Sequence, residues 1–226
     1  MALAAYVLHR RPYQDDAALA ELLLDNDSRV GVVVRGMAAK KSDKRAAMQP
    51  FVRLELSLAG KGELKSARQL EVRRHWPLAG TALYAGFYLN EILIRLLARD
   101  TEAEGLFTLY EQTLAALLTE PVEPVLRRFE LSLLHRLGYG IDLWRDAQGA
   151  PLAEDGRYTL VADAGLVAQP SGPFLGAEVL ALAQGHWHRS EVLRAAKGLC
   201  RMLLSPHLGD KPLKSRELFR LAGGKP

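Results

Sequence analysis

The stretch from Thr81 to Ala98, TALYAGFYLNEILIRLLA, decides how the rest of the chain is read. Taken as a helix it is apolar almost all the way round, broken only by Asn90, Glu91 and Arg95. A helix that is hydrophobic on every side belongs inside a protein, covered by neighbours on several faces. Glu91 and Arg95 stand four apart in the favourable order and are expected to pair on the one strip that reaches water. The residues before this helix read as strands and basic loops, and those after it as amphipathic helices. The chain therefore divides into 1–76 and 77–226.

Upstream, Ala4 to Leu8 predicts a short strand, followed by His9-Arg10-Arg11-Pro12. Val30 to Arg35 is a β-branched strand preceded by the turn signal Asn26-Asp27-Ser28. Ala17 to Leu24 is ambiguous. Its alanines and leucines favour helix by propensity, whereas a hairpin through Asn26 requires strand, and the residues alone leave both open. Met37 to Gln49 carries Lys40, Lys41, Lys44 and Arg45 among small residues without periodicity, which predicts a mobile basic loop. Val52, Leu54, Leu56 and Leu58 then alternate with Arg53, Glu55 and Ser57, the period-two pattern of a half-buried antiparallel strand. Gly60-Lys61-Gly62 turns the chain, and Glu63 to Val72 returns as a partner strand. Several short strands around a basic loop suggest a small closed barrel of the oligonucleotide-binding (OB) type.

Downstream, Glu104 to Leu118 has helical spacing through Leu106, Leu109, Leu114 and Leu117. Pro121 and Pro124 open a further helix, tolerated in its first turn, in which Leu126, Phe129, Leu133 and Leu137 form one stripe and Gly138 supplies the stop. The segment 145–173 is rich in glycine and proline and irregular apart from short strands such as Tyr158 to Val161. Val179 to Gln184 and His188 to Leu204 read as helices, the second capped by Ser190. A basic tail ends the chain, with a short helix at Ser215 to Leu221.

At 226 residues, half apolar and a quarter charged, the composition is that of a folded, water-facing protein with ample core. The N-terminal MALAAYVLHRRP has no basic segment ahead of its short apolar run, so it does not read as a secretory signal. The longest uncharged run, His75 to Asn90, is shorter than the ~20 residues a bilayer span needs. Cytoplasmic location is expected. The lone Cys200 excludes an intramolecular disulfide and any multi-cysteine zinc site. The net charge of +4 is unevenly spread: 14 Lys+Arg against 9 Asp+Glu in 1–76, 7 against 14 in 77–188, and 9 against 3 in 189–226. Basic ends point to a polyanionic partner.

Signs of catalysis are missing from the sequence. It holds neither a GxGxxG nor a GxxxxGK[ST] phosphate loop and no GxSxG nucleophile elbow. His186 and His188 alternate around Trp187 without a carboxylate or third histidine at metal-ligand spacing. The expectation is a non-enzyme that binds no metal and needs no cofactor. The better signal is cationic: Arg35, Lys40, Lys41, Lys44 and Arg45, with Lys61 and Lys65 on the facing hairpin, form a candidate phosphate-binding surface. Tyr6, Tyr13, Phe51 and Trp76 lie in the same part, as stacking faces for bases or as core. Arg127 and Arg128 flank Phe129 on an apolar helix, where they suit an acidic, aromatic-ended peptide or pair with Glu123 and Glu130.

Several runs, taken together, resemble the RecO family of bacterial recombination mediators along essentially the whole length. They are Ala5-Tyr6-Val7-Leu8-His9, Val34-Arg35-Gly36, Leu54 with GKGELK at 60–65, LYAGFYLNEIL at 83–93, EPVLRRFELSLLHRLGYG at 123–140 and LGDKPLKSRELFR at 208–220. The resemblance implies an α+β protein: an N-terminal OB-type barrel followed by a mainly helical domain. It implies strand for Ala17 to Leu24. It also implies binding and annealing of single- and double-stranded DNA, partnership with RecR, help in loading RecA, and docking on the acidic C-terminal tail of the single-stranded-DNA-binding protein. The LRRFEL helix contributes to that tail site in the family, which selects Leu126, Arg127 and Leu134 here. Many relatives carry a four-cysteine zinc module between the helical segments. This chain has no cysteine in 145–173, so zinc is not carried over, and Leu152, Tyr158, Leu160, Leu166 and Phe174 are expected to supply a small core instead. The alternative is an interaction scaffold whose basic surface meets an acidic protein.

Overall fold

The computed structural model describes residues 2–37, 43–60, 62–99 and 101–221, with the side chains of 220 and 221 excepted. By compactness the chain forms two units, Met1–Val122 with Lys211–Pro226, and Glu123–Asp210.

The first unit contains a closed barrel. Strands β1 (Leu3–Tyr13), β2 (Ala17–Leu24), β3 (Arg29–Arg35), β4 (Val52–Ala59) and β5 (Leu64–His75) pair in the order β1-β2-β3-β5-β4, and β4 returns to β1. All pairings are antiparallel except β3 with β5, which closes the barrel. Ala17–Leu24 is thus a strand, against its propensity. Ala18, Ala20, Leu22 and Leu24 alternate into the barrel core with Val30, Val32 and Val34 of β3 and Leu54 and Leu56 of β4. Ladders on both sides and a buried face outweigh a preference worth a few tenths of a kcal/mol per residue. β1 runs past the expected Leu8 to Tyr13, with a bulge between Val7 and His9 that shifts its register on β2. A bulge lets one strand bend around a barrel corner.

The expected basic loop is half structure. Residues 43–47 form a short helix, α1 (Asp43–Ala47), and Ala47 and Met48 enter the barrel core at 3% and 0% exposure. Two apolar anchors hold the cations beside them in place. Residues 38–42, with Lys40 and Lys41, and Lys61 lie outside the described residues.

The apolar stretch forms α2 (Gly80–Leu96), followed by α3 (Leu106–Ala116). Both bury polar groups only where partners exist. Tyr110 donates to Asn90 Oδ1 at 2.6 Å, Trp76 Nε1 donates to Tyr6 Oη at 2.9 Å, and Tyr6 in turn donates to Glu111 Oε1 at 2.8 Å. Burial pushes the Tyr6 hydroxyl well above its ordinary range, and its bond to Glu111 adds to this. At Gly86 a Cβ would lie 2.7 Å from the Phe51 ring, so only glycine lets α2 approach that closely.

Glu91 and Arg95 do pair, at 2.9 Å, but the strip does not face open water: the two side chains are 18% and 19% exposed. The C-terminal helix α7 (Lys214–Leu221) returns onto α2, and Glu91 accepts from the amides of Lys214 and Ser215 and from the Ser215 hydroxyl. Arg95 donates to the carbonyls of Lys211 and Pro212. Burial alone would raise the Glu91 carboxyl; the Ser215 and Lys214 bonds and Arg95 outweigh it and hold the group below its ordinary 4.5. A depressed carboxyl stabilises the fold above the unfolded value, and that stability disappears as pH falls through the folded value. Amide exchange in Lys214–Leu221, corrected for intrinsic rates, is therefore expected to accelerate below pH 4.5. Glu91→Gln is expected to loosen the same amides at neutral pH. Protection of α7 that ignores both changes would contradict this anchor.

In the second unit α4 (Val122–Arg136) ends as expected at Gly138, whose φ is +81°. The amides of Gly138 and Tyr139 bond to the carbonyls of His135 and Leu134, a Schellman closure. The segment without cysteines folds as a three-stranded sheet, β7-β6-β8, from β6 (Arg157–Val161), β7 (Gly165–Ala168) and β8 (Phe174–Leu175). Leu152, Tyr158, Leu166 and Phe174 form one core with Val179 and Leu182 of α5 (Gly176–Ala183) and with Val192, Ala196 and Leu199 of α6 (Ser190–Leu204). The expected satellite core is thus continuous with the helices. At Gly176 a Cβ would lie 1.9 Å from the Ala153 carbonyl oxygen, so close backbone packing closes the module. Ser190 is the first residue of α6; Arg189 occupies the cap position without a side-chain capping bond.

Candidate functional site

The structure brings Arg35, Lys44 and Arg45 together at one end of the barrel, all three exposed. Lys44 Nζ donates to the Arg35 carbonyl at 3.1 Å, and Arg10 Nη1 approaches the Arg45 carbonyl at 3.4 Å. An ammonium that satisfies one carbonyl keeps two further donors for a ligand. Arg10, Arg11, Gln14, Asp15, Met37 and Arg45 line a depression of about 280 Å³ there. Among the described residues none of Arg11, Arg35 and Arg45 forms an ion pair. Elsewhere on the barrel several cations are paired: Arg53 with Glu111 at 2.8 Å, Arg29 with Glu21 at 3.0 Å, and Arg73 with Glu55 and Glu71.

Lys65 stands apart. It lies half-buried on β5 opposite Val32, three residues before Arg35 along β3, or about 10 Å at the rise of a strand. Arg10 and Arg11 were missed because β1 was expected to stop at Leu8. The adjacent Arg10-Arg11 pair was the available signal.

The aromatic residues divide too. Tyr6, Phe51 and Trp76 are 0%, 5% and 5% exposed and belong to the core, so they offer no stacking face; Tyr13 is half-buried at the basic end of β1. Arg74 covers the Trp76 ring at 3.7 Å, using its charge on the indole.

On α4 the three selected residues are placed differently from one another. Leu126 and Leu134 are 6% and 0% exposed, and Arg127 turns onto Glu130 at 2.9 Å with 13% of its side chain exposed and none of Glu130's. Burial pushes the Cys200 thiol up, and the adjacent Glu130 carboxylate adds to this, so Cys200 is a core thiol. Beside this pair a groove of about 520 Å³ opens, walled by Leu131, Leu134, Ile141, Leu182 and Trp187 and edged by Arg128, His135 and Arg136. Its apolar walls come from α4, the loop after Gly138, α5 and the turn that follows α5, a convergence that spacing along one helix does not reveal.

Among the described residues no three His, Cys, Asp or Glu side chains are grouped to hold a metal ion, and no helix is long and apolar enough to cross a membrane.

A family model for the N-terminal part of recombination protein O matches residues 1–76, and one for its C-terminal part matches residues 78–217. DNA repair protein RecO of Stutzerimonas stutzeri is 46% identical over 221 residues, 95% of this chain and 92% of the relative. RecO of Cellvibrio japonicus is 44% identical over 223 residues, 95% and 94% of the two chains, and that of Pseudoalteromonas atlantica 43% over 225 residues, 96% and 93%.

Proposed function

The chain belongs to the RecO family of DNA repair proteins, and from that premise we propose that it is a non-enzymatic recombination mediator acting on DNA in the cytoplasm, at the nucleoid. It binds single- and double-stranded DNA, anneals complementary strands, and with RecR helps RecA load on DNA coated by the single-stranded-DNA-binding protein. The observation that carries this reading is the cluster of Arg35, Lys44 and Arg45 with Arg10 and Arg11 on one end of an OB-type barrel. Cations without carboxylate partners gain affinity by displacing counterions from phosphates. In this reading Lys40, Lys41 and Lys61, which lie outside the described residues, and Lys65, about 10 Å from Arg35 along the barrel, are further candidates for phosphate contact. For annealing, such a surface screens the repulsion between two strands.

The acidic tail of the coating protein docks on α4. Leu126, Leu134 and the Arg127–Glu130 pair hold the helix in shape, the apolar groove takes the aromatic ring, and Arg128 with His135 and Arg136 meets the carboxylates. Charge reversal at the groove edge tests this: Arg128→Glu is expected to weaken binding of a labelled tail peptide at least tenfold and leave naked-DNA affinity within twofold. Equal loss of both would place peptide and DNA on one surface, and an unchanged peptide affinity would remove the tail from this groove.

A further inference from the structure

Helix α6 holds one acidic residue and three cations, Arg194, Lys197 and Arg201. At 3.6 residues per turn these three fall within about 60° of one another, opposite the buried Val192, Ala196 and Leu199, and span about 10 Å along the axis. Arg194 and Arg201 are exposed, and among the described residues neither side chain has an ion pair or hydrogen bond. The acidic residue, Glu191, is held by Arg189 at 2.8 Å. α6 runs directly into a 3₁₀ turn, Ser205–His207, and there His207 stacks on Tyr139, ring centroids 3.8 Å apart and planes inclined by 22°. Tyr139, fixed by the Schellman closure of α4, remains 43% exposed.

A row of cations selects a polyanion. An exposed aromatic stack at the end of that row selects one that carries planar bases, because cations track the backbone while ring faces take unpaired bases. We propose that α6 and the Tyr139–His207 stack form a second surface for single-stranded nucleic acid, separate from the barrel residues. The inference rests on the reading that nucleic acid is this chain's partner, but on none of the barrel side chains. With two such surfaces one chain holds two strands at once, which turns annealing from charge screening alone into bridging.

The test uses the full chain and a 5-iodouracil-substituted oligonucleotide, with photocrosslinks mapped by mass spectrometry and affinity measured at several salt concentrations. Adducts at Tyr139 or His207 are expected, and they persist in Lys44→Ala/Arg45→Ala. In Arg194→Ala/Arg201→Ala the slope of log affinity against log salt is expected to fall by about 1.4, at ~0.7 per phosphate for single strands. The deficit relative to the unmodified protein then grows about 25-fold from 1 M to 0.1 M salt. Tyr139→Leu is expected to weaken binding about tenfold without changing the slope, as loss of one stacked base requires. Adducts confined to the barrel together with an unchanged slope would overturn this surface and leave the barrel reading standing. No binding by any of these proteins would overturn both. Loss of binding to a Glu- and Asp-rich peptide with DNA binding intact would overturn it in favour of an acidic protein partner.

Discussion

Glu130→Ala is expected to destabilise the unit Glu123–Asp210 by about 3–5 kcal/mol, the usual cost of stranding one charge of a buried pair. Glu130 is fully buried and its Arg127 partner is 13% exposed, so removing the carboxylate leaves a guanidinium with little access to water. Guanidinium denaturation followed by the fluorescence of Trp144 and Trp187, both in this unit, reads the loss. Arg127→Ala takes this cation from the fully buried Glu130 carboxylate and is expected to destabilise the same unit. The double replacement Arg127→Met/Glu130→Leu is expected to recover most of the stability, because an apolar pair of similar volume avoids desolvating two ions. A single-mutant cost below about 1 kcal/mol, the range of exposed pairs, would contradict the burial of this pair. The consequence for function is practical: truncating Arg127 confuses folding with peptide binding, whereas Arg128 at the groove edge does not.

Replacing Lys40, Lys41, Lys44 and Arg45 together by alanine is expected to have the largest effect on DNA. Four lost phosphate contacts at ~0.7 each lower the salt slope by about 2.8, so the deficit against the unmodified protein grows on the order of 600-fold between 1 M and 0.1 M salt. Lys44 and Arg45 sit beside the buried Ala47 and Met48, which stay in place, so the barrel is expected to keep its stability. Adding Arg10→Ala and Arg11→Ala is expected to lower the slope further, since these two flank the same depression. A quadruple variant with unchanged affinity and slope would remove this end of the barrel from the DNA surface.

Much of this fold was legible because its signals are local. The period of two in Val52 to Leu58, the all-round apolar Thr81 to Ala98 and the Gly138 stop each predicted the element that forms there. Ala17 to Leu24 was not legible from propensity, because ladders to two neighbouring strands decide it, and only resemblance resolved it. The site was legible in part. The basic run around Lys44 was visible in sequence, but its fixation by Ala47 and Met48, and the arrival of Arg10 and Arg11 beside it, depend on barrel closure. Arg127 and Arg128 are adjacent in sequence and look equivalent. A helix separates neighbours by about 100°, so one enters a buried ion pair while the other edges the groove. Tyr139 and His207 lie too far apart in sequence to be seen as a stack.

The central claim is that the barrel end neutralises phosphates. The most direct measurement is fluorescence anisotropy of a labelled single-stranded oligonucleotide titrated with the unmodified protein from low to high salt. Tight binding that falls linearly on a log–log plot, with a slope matching several neutralised phosphates, is the predicted result. Absence of binding at low salt would contradict the claim and leave a protein that reaches DNA only through the tail of its coating protein.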